Sequence, residues 1–586
     1  MSSVTFNNWP NRPGPISATT CSSDPVRTGA PPVRSPKRID RFSYTQPDPA
    51  MQRRTFLQQT LAALTATGLG VSLLNGKRAG GLYKHIVLLI GDDHAMRVMG
   101  CYGNRRVNTP NLDRLAREGM RFTNAFCQSP VCSASRQSFL TGNYPHQTGV
   151  NLLFTPFSDE KNLTVAEHLN AQHYRTAAIG KMHTNTNLPA GVPAHGFEIR
   201  KDTAEYTKWL KSKGGPRPVP ADVPVRDMSK TKGFSVEQWV NPGVRPEPLY
   251  DADALDTYLT NEAIAFLQAQ RSSPFLLFVG FHAPHAPMNF PVEFAGRYRP
   301  EQMMLGKAGP EDLPWTPTIF RGLTDTQKRE IVAGYYTCVD YLDKNVGLIL
   351  NAIDDNGLRD DTLVVYIADH GYLLNDHNRF EKHTMWEPAV RSPLLVRAPG
   401  LTKAGSVSSE LVELVDLVPT FVEAASAPTL PTRGKSLIPL FKNPKKNHRD
   451  QVFSEYLVDN MAMLRTDDRD GGPWKYVFST NQYDLGLGYE IGDTRPAGYV
   501  HRLYNLRRDP DELHNLATDP AQQTRLQTLQ AQLIAVFRET HPDAARLPTN
   551  LTTEQTLAWF CEPRDQVSDL EKRIFPHPNR YEKKNL

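Results

Sequence analysis

The stretch His85-Ile86-Val87-Leu88-Leu89-Ile90-Gly91-Asp92-Asp93-His94 decides the fold class of this chain. Residues 86–90 form a short run of apolar side chains, which is typical of a central strand with both faces covered. Two carboxylates and a histidine follow directly. In open parallel sheets, ligands bind at the carboxyl ends of the strands. The stretch therefore predicts a buried strand that ends in a polar, ligand-binding cluster.

The chain that follows alternates strand-like and helix-like segments. Short apolar runs at residues 176–179, 275–279 and 363–367 predict further buried strands. Apolar residues recur at steps of three and four between Tyr335 and Ile353, which predicts a helix. The pattern favours an α/β fold, in which a large domain has a mostly parallel mixed central sheet flanked by helices.

The pattern changes around residues 428–439 to short pieces bounded by prolines. Strand-like segments at 452–456 and 474–478 and a polar helix near 522–537 follow. They predict a smaller C-terminal α+β domain with a short antiparallel sheet. Single cores stop growing at about 250 to 300 residues, so two packed units are expected. We predict a catalytic domain at 81–440, the smaller domain at 441–545 and a tail at 546–586.

Composition excludes several classes of protein. A hydrophobic share of 39% and a charged share of 22% are those of an ordinary globular protein. The net charge of +5 is small for 586 residues, and no basic stripe is interleaved with aromatics, so no nucleic-acid partner is expected. Six cysteines are too few for a disulfide framework. For the four cysteines outside any motif of the predicted domains, simple burial is preferred, and pairing of some of them after export is the alternative; they are Cys101, Cys127, Cys338 and Cys561.

The N-terminal segment resembles an export signal. Residues 1–50 are polar and predict disorder. Arg53-Arg54-Thr55-Phe56-Leu57 then opens an uncharged stretch that resembles a twin-arginine signal. Such signals sit at the N-terminus, so we expect translation to begin at Met51, with residues 51–80 as the signal peptide. The bacterial protein would be periplasmic or secreted. The alternative, an uncleaved anchor, is disfavoured because the Gln, Thr and Gly content makes a poor membrane span.

Carboxylates at two strand ends predict a metal site. Asp92 and Asp93 follow the first strand, and Asp369 and His370 follow the strand at 363–367. Such a set suits a hard divalent cation. An Asp-Asp pair alone is more often a helix cap or a turn. Two such clusters at equivalent positions favour the metal.

A third polar cluster is Cys132-Ser133-Ala134-Ser135-Arg136. A lone Cys can be a small buried hydrophobe or a thiolate nucleophile. This segment resembles the signature of the sulfatase family, in which a Cys followed at the second position by Pro or Ala and at the fourth by Arg is converted to formylglycine. The match continues through Thr141-Gly142 and Tyr144-Pro145-His146. It departs from the commonest form by having Ala134 where Pro is more usual.

Three further segments follow the sulfatase order and spacing. They are Gly180-Lys181-Met182-His183, Pro284-His285-Ala286-Pro287 and the segment from His377 to Lys382. Each alone is weak evidence, since a single Lys or His is usually a solvated or structurally satisfied side chain. The resemblance also covers residues 414–420, 434–437 and 503–506, so that it spans nearly all of residues 84–517.

The resemblance implies hydrolysis of a sulfate monoester at a metal centre. Asp92, Asp93, Asp369 and His370 would bind one divalent ion, calcium, and the hydrated aldehyde at Cys132 would complete its shell. His370 stands where Asn is frequent in relatives. A formylglycine-generating enzyme would be needed as a maturation partner.

The resemblance also implies roles for the basic residues. Lys181 and Lys382 would contact the substrate sulfate, and Arg136 would support the formylglycine and metal side. His285 and Lys382 would protonate the leaving alcohol. His183 would accept the proton when sulfate is released.

The substrate class and two rival functions stay open at this point. A sulfated sugar or polysaccharide is the expected substrate, with specificity set by loops at 154–163, 206–248 and 291–323. One rival is a phosphonate monoester or phosphodiester hydrolase of the same superfamily. The other is an inactive carbohydrate-binding relative, which the complete set of polar residues disfavours.

Overall fold

The computed structural model describes residues 81–185, 192–226, 239–467, 469, 471–480 and 498–565. The predicted disordered segment, the start at Met51 and the signal peptide lie outside these residues. The described residues all belong to one compact unit.

The stretch at 85–91 forms the central strand of a large sheet. In chain order the strands are β1 His85–Gly91, β2 Met120–Phe126, β3 Arg175–Gly180, β4 Ile199–Lys201, β5 Phe275–Gly280, β6 Thr362–Ala368, β7 Leu373–Leu374, β8 Phe380–Glu381, β9 Arg391–Arg397, β10 Ser406–Ser408, β11 Val412–Glu413, β12 Gln451–Tyr456, β13 Met461–Thr466, β14 Trp474–Ser479 and β15 Val500–Asn505.

The large sheet is mixed but mostly parallel. Its strand order is β10-β2-β9-β6-β1-β5-β3-β4, and β11 also pairs with β2. Strand β1 runs parallel to both β5 and β6, whereas β9 is antiparallel to β2 and β6. The four apolar runs that predicted strands are β1, β3, β5 and β6. They lie next to one another, so their carboxyl ends share one edge.

Helices cover both faces of this sheet. Within the described residues the α-helices are α1 Pro110–Glu118, α2 Cys132–Thr141, α3 Pro145–Thr148, α4 Val165–Asn170, α5 Thr203–Ser212, α6 Leu255–Ala269, α7 Thr318–Arg321, α8 Asp325–Asp355, α9 Glu387–Val390, α10 Leu417–Ala424, α11 Ile438–Lys442, α12 Gln523–Thr540 and α13 Thr553–Phe560. The periodic segment from Tyr335 to Ile353 is the later part of α8, whose N-terminus is capped by Thr324.

The two faces of β1 explain its continuous apolar sequence. Ile86, Leu88 and Ile90 belong to one buried cluster, and Val87 and Leu89 belong to a second cluster on the other face. Successive side chains of a strand point to opposite faces, so a strand covered on both sides needs apolar residues at every position.

A separate antiparallel sheet forms in the C-terminal part, with strand order β12-β13-β14-β15. Helices α12 and α13 share a buried cluster with it, to which they contribute Leu533, Phe537, Leu557 and Phe560. The fold class predicted from the sequence is confirmed. Helix α13 falls in the segment predicted as a tail, so packed structure continues beyond residue 546; the domain boundary at 440 stays a prediction.

Two further expectations concern cysteines and membranes. The described cysteines are all free thiols, and Cys127, Cys338 and Cys561 are buried while Cys101 is partly exposed. Within the described residues, no helix combines the length and apolar character needed to cross a membrane.

Candidate active site

The ends of four parallel strands and one helix bring the predicted polar residues together. Asp92 and Asp93 follow β1, Asp369 and His370 follow β6, and Lys181 follows β3. The loop after β5 carries His285. Helix α2 begins with Cys132 at the same edge, because its residues contact both the β1 and β6 ends.

Arg136 joins three of these strand ends. Its side chain is fully buried, and its Nε lies 2.9 Å from Asp369 Oδ2 while Nη2 lies 3.1 Å from Asp92 Oδ1. Its Nη1 donates to the carbonyl of Lys181. A planar guanidinium can donate in these separate directions at once. Arg136 therefore fixes the relative positions of the carboxylates and of Lys181.

Two lysines neutralise the carboxylates after β1. Lys382 Nζ lies 2.6 Å from Asp93 Oδ2, and Lys181 Nζ lies 2.5 Å from Asp92 Oδ2. Burial alone would raise the pKa of Asp92, but Lys181, His285 and Arg136 hold it well below its ordinary value. Burial would lower the pKa of Lys382, and Asp93 raises it instead. Asp92 and Lys382 are thus a carboxylate and an ammonium at neutral pH.

Cys132 lies against this cluster in a dry environment. Its Sγ is 3.3 Å from His370 Nε2 and 3.8 Å from Asp93 Oδ1. All ten residues of α2 are buried. Burial raises the pKa of the Cys132 thiol well above its ordinary value, despite the nearby Lys181 and Lys382. An unmodified Cys132 is therefore a neutral thiol here and a poor nucleophile.

His183 and His285, the two histidines expected to transfer protons, lie beside the carboxylate cluster. His285 Nε2 lies 3.7 Å from Asp93 Oδ2. His183 Nδ1 is buried and has no hydrogen-bond partner among the described residues. Burial lowers the pKa of both imidazoles well below the ordinary value, and the charge of Lys181 adds to this effect. Lys382 also lowers the pKa of His285, and Arg136 also lowers that of His183.

The side chains of the cluster could hold a metal ion, to which the three carboxylates would offer oxygen donors. Ligand atoms of Asp92, Asp93, Cys132 and His285 lie within 4.8 Å of one another, as do those of Cys132, Asp369 and His370. His370 Nδ1 bonds to the carbonyl of Gly371 at 2.9 Å, which directs Nε2 towards the cluster. The structure thus groups all five residues predicted for the metal site and adds His285 to them.

Two histidines near the motifs, His94 and His377, make structural contacts. His94 is hydrogen-bonded to the hydroxyl of Tyr366 at 2.6 Å and to the carbonyl of Val98, so its side chain supports the end of β1. His377 stacks on Trp386 with ring centroids 3.9 Å apart. Neither side chain belongs to the groups of metal-ligating atoms found in the described residues.

The loop that carries Lys382 has an unusual backbone. Five non-glycine residues in it adopt positive φ, namely Asn375, His377, Asn378, Glu381 and His383. Such conformations persist only where surrounding contacts enforce them. The indole of Trp239 donates to Glu381, and His383 Nδ1 lies 3.0 Å from the hydroxyl of Tyr456 on β12. Neither contact was predicted, because Trp239 and Tyr456 stand far from any motif in the sequence.

The family follows from the comparison of the sequence with family models. Residues 84–427, more than half of the chain, match the model named Sulfatase. The chain belongs to the sulfatase family. Residues 375–539 also match the C-terminal model of N-sulphoglucosamine sulphohydrolase. The predicted family is confirmed.

Curated sulfatases align over most of this chain. An ulvan-active sulfatase of Formosa agariphila is 29% identical, covering 77% of this chain and 80% of its own. An arylsulfatase of Clostridium perfringens is 28% identical over 77% of this chain and 93% of its own. Iduronate 2-sulfatase of Mus musculus is 29% identical over 59% of this chain and 69% of its own. The prediction of a sulfuric ester hydrolase is confirmed.

Solved structures confirm the α/β fold. The phosphonate monoester hydrolase of Agrobacterium radiobacter superposes with a TM-score of 0.64 at 21% identity, covering 79% of this chain and 97% of its own. A protein solved with its substrate D-glucosamine-2-N,6-O-disulfate has a TM-score of 0.60 at 21% identity, covering 78% of this chain and 98% of its own.

Proposed function

We propose that this sulfatase-family chain hydrolyses a sulfate monoester of a carbohydrate, with formylglycine made from Cys132 as the nucleophile and calcium as the metal. The contact of Cys132 with a carboxylate cluster that is ringed by Arg136, Lys181 and Lys382 carries this proposal. Iduronate 2-sulfatase and the N-acetylglucosamine-6-O-sulfatase of Bacteroides thetaiotaomicron have sugars in their names, which supports a carbohydrate substrate.

Asp92, Asp93, Asp369 and His370 would hold the cation. Bound there, the cation would offset negative charge on the sulfuryl oxygens. One hydroxyl of the hydrated aldehyde at residue 132 would bond to sulfur as the bond between sulfur and the alcohol oxygen breaks. Loss of the proton from the second hydroxyl would then re-form the aldehyde and break the bond between carbon and the sulfated oxygen, so that sulfate leaves. A serine at this position lacks the second hydroxyl, so its sulfate ester has no neighbouring group with which to collapse.

The basic side chains would orient the ester and move protons. Lys181 and Lys382 point at the carboxylates that surround Cys132, so a sulfuryl group beside residue 132 would meet both ammonium groups. His285 and Lys382 would protonate the leaving alcohol oxygen. His183 would accept the proton released with sulfate, since its Nδ1 has no partner among the described residues.

Mass spectrometry of the tryptic peptide Phe122–Arg136 from the native host tests the nucleophile directly. We expect the aldehyde at residue 132, and we expect Cys132→Ala to lose all measurable turnover of an aryl sulfate. A protein that hydrolyses its substrate at full rate with an unconverted thiol would contradict the proposal. A wild-type protein that turns over no ester would support the carbohydrate-binding rival.

The phosphonate monoester hydrolase rival shares the fold, and a likeness at 21% identity does not choose between the two reactions. Lys181, His183 and Lys382 favour sulfate, because they follow the sulfatase order in the sequence. Rates with an aryl sulfate and the matching aryl phosphonate decide the question. We expect the sulfate to have the higher kcat/KM; a preference for the phosphonate would replace this proposal.

We also propose that residues 51–80 direct twin-arginine export, followed by signal removal. Twin-arginine substrates fold before they are exported. A formylglycine-generating enzyme would therefore have to act on Cys132 before export, while the chain is still unfolded. Cell fractionation with N-terminal sequencing tests this. Mature protein found only in the cytosol would contradict export.

A further inference from the structure

A cavity opens beside Lys181, at the carboxyl ends of β3 and β4. Its volume is about 350 Å³, and its lining includes Lys181, His183, Arg200, Lys201 and Asp202. We call it the side cavity. It begins at the lysine proposed to hold the reacting sulfate and continues away from Cys132 along the sheet edge. None of the loops predicted to set specificity includes Arg200 or Lys201.

Lysine and arginine outnumber carboxylates in the lining of the side cavity, which has Lys181, Arg200 and Lys201 against Asp202. Lys181 is paired with Asp92 at 2.5 Å, and Lys201 Nζ lies 3.5 Å from Glu262 on α6. Arg200 is held differently. Its Nη1 donates to the carbonyl of Val192 at 3.1 Å, and its Nη2 lies 3.5 Å from Asp202 Oδ2. The second distance is long for a charge-assisted hydrogen bond, which is normally about 2.7 to 2.9 Å.

Asp202 is engaged elsewhere, which leaves Arg200 poorly neutralised. The Oδ1 atom of Asp202 accepts from the backbone N–H of Ala204 at 2.8 Å and caps the first turn of α5. The side chain of Arg200 is only 13% exposed. A largely desolvated guanidinium beside an open cavity attracts an anion more strongly than a solvated surface arginine does.

We infer that the side cavity is a subsite for a second anionic group of the substrate, with Arg200 as its main ligand. The group would be a carboxylate or a sulfate on the sugar adjoining the one that carries the reacting ester. Its volume lies within the range of small-ligand pockets, about 300 to 1,000 Å³, so it accepts a sugar ring. The inference rests on the proposed function, because it takes Lys181 as a ligand of the reacting sulfate.

Three disaccharides with the same reacting sulfate test the subsite. The adjoining sugar is neutral in the first, a uronic acid in the second and sulfated in the third. We expect wild-type kcat/KM to be at least about tenfold higher for an anionic disaccharide than for the neutral one, mainly through KM. Arg200→Gln should remove most of this preference, and Arg200→Lys should keep part of it.

Arg175→Gln is the matched control. Arg175 begins β3 at the opposite end and pairs with Glu198 at 3.0 Å, so its loss should leave the preference at the wild-type value. Dependence on Arg200 for the uronic acid alone would identify a carboxylate subsite, and dependence for the sulfated sugar alone would identify a sulfate subsite. Similar kcat/KM values for all three disaccharides, or a preference that survives in Arg200→Gln, would overturn the inference.

Calorimetric binding to Cys132→Ala in calcium buffer separates the two proposals. If wild-type enzyme hydrolyses no disaccharide while Cys132→Ala still binds the anionic ones more tightly through Arg200, the proposed function falls and the subsite stands. If the neutral disaccharide is hydrolysed but binding shows no anion preference, the subsite falls and the proposed function stands. If neither is seen, both are wrong.

Discussion

Arg136 is the single side chain on which the arrangement of the site depends most. It contacts Asp92, Asp369 and the carbonyl of Lys181 while buried from solvent. The point charge of a lysine ammonium cannot reach three acceptors spread around a planar fork. Substitution of Arg136 therefore releases carboxylates that would otherwise be held for the cation.

We predict that Arg136→Lys weakens calcium binding by about 10- to 100-fold, which is the usual effect of losing a group that orients metal ligands. Titration calorimetry on the metal-free protein measures this affinity. Arg117→Lys, on the exposed side of α1, is the control and should bind calcium like the wild type. An unchanged affinity in Arg136→Lys would show that the carboxylates keep their positions without the guanidinium.

Helix α1 depends on a side chain of another helix for its N-terminal cap. Thr109 precedes it but makes no side-chain cap, whereas Asp343 of α8 accepts from the backbone N–H groups of Asn111 at 3.1 Å and Leu112 at 2.8 Å. Buried N–H groups left without an acceptor are unfavourable by about 1 to 3 kcal/mol. Asp343 thus couples α1 to the long helix.

We predict that Asp343→Ala lowers the free energy of unfolding by about 2 to 4 kcal/mol, because two backbone N–H groups and the Asn111 amide lose their acceptor. Urea denaturation measures the change. Asp343→Asn keeps one acceptor oxygen and should lose about half as much. Asp355→Ala, at the exposed end of α8, should change stability by less than about 0.5 kcal/mol. Equal stability of Asp343→Ala and the wild type would contradict this account.

The contact between α12 and α13 includes a histidine that resists protonation. Burial, His146 and Arg564 lower the pKa of His541 to about 3. An unfolded histidine binds a proton near pH 6.5. His541 therefore stabilises the fold fully above about pH 6.5, and this contribution decreases as the pH falls from 6.5 towards 3. The loss amounts to about 1 kcal/mol between pH 6.5 and 5.5.

We predict a smaller pH dependence of unfolding in His541→Gln. Its free energy of unfolding should fall less between pH 6.5 and 5.5 than that of the wild type. The slope of that free energy against pH should differ by up to the contribution of one bound proton. Exposed His514→Gln is the control and should keep the wild-type slope. Chemical denaturation at three pH values measures it. The same slope in His541→Gln and wild type would show that His541 is protonated in the folded protein.

The sequence predicts those elements whose signal is local. β1, β3, β5 and β6 are each a continuous apolar run, and the spacing in α8 is visible without knowledge of any partner. β13 and β15 were not predicted, because the apolar run before Arg465 is only four residues long and His501 and Arg502 interrupt the apolar pattern of β15. Both arginines are buried, a placement that only packing against other segments explains.

The residues of the candidate site likewise divide into those that the sequence predicts and those that it does not. Strand-end clusters and the family motif predicted Asp92, Asp93, Cys132, Asp369 and His370, and the structure gathers them. The roles of Trp239 with Glu381 and of Tyr456 with His383 depend on contacts between distant segments. No pattern within a window of sequence carries that information.

At the scale of the whole molecule, the cation would link segments that are far apart in the chain. Its proposed ligands follow β1 and β6 and lie close to the first residue of α2.

We predict that chelation of calcium abolishes turnover and lowers the midpoint of thermal unfolding by a few degrees. A ligand at 100 times its Kd stabilises a fold by about 2.7 kcal/mol. Calorimetry with added calcium should restore the midpoint; magnesium at the same concentration should restore less, because it demands stricter octahedral geometry. An unfolding midpoint indifferent to chelation would contradict a calcium site among these residues.

The burial of α2 limits the time during synthesis in which a modifying enzyme can reach Cys132. Cys132 and its contact His370 are separated by 238 residues, which a ribosome adding about 5 to 20 residues per second needs roughly 10 to 50 s to produce. Until β6 emerges, the contacts of Cys132 with His370 and of Arg136 with Asp369 cannot form. Once all of α2 is buried, a formylglycine-generating enzyme would no longer reach the thiol. Slower elongation between residues 132 and 370 should therefore raise the aldehyde fraction, and faster folding should lower it.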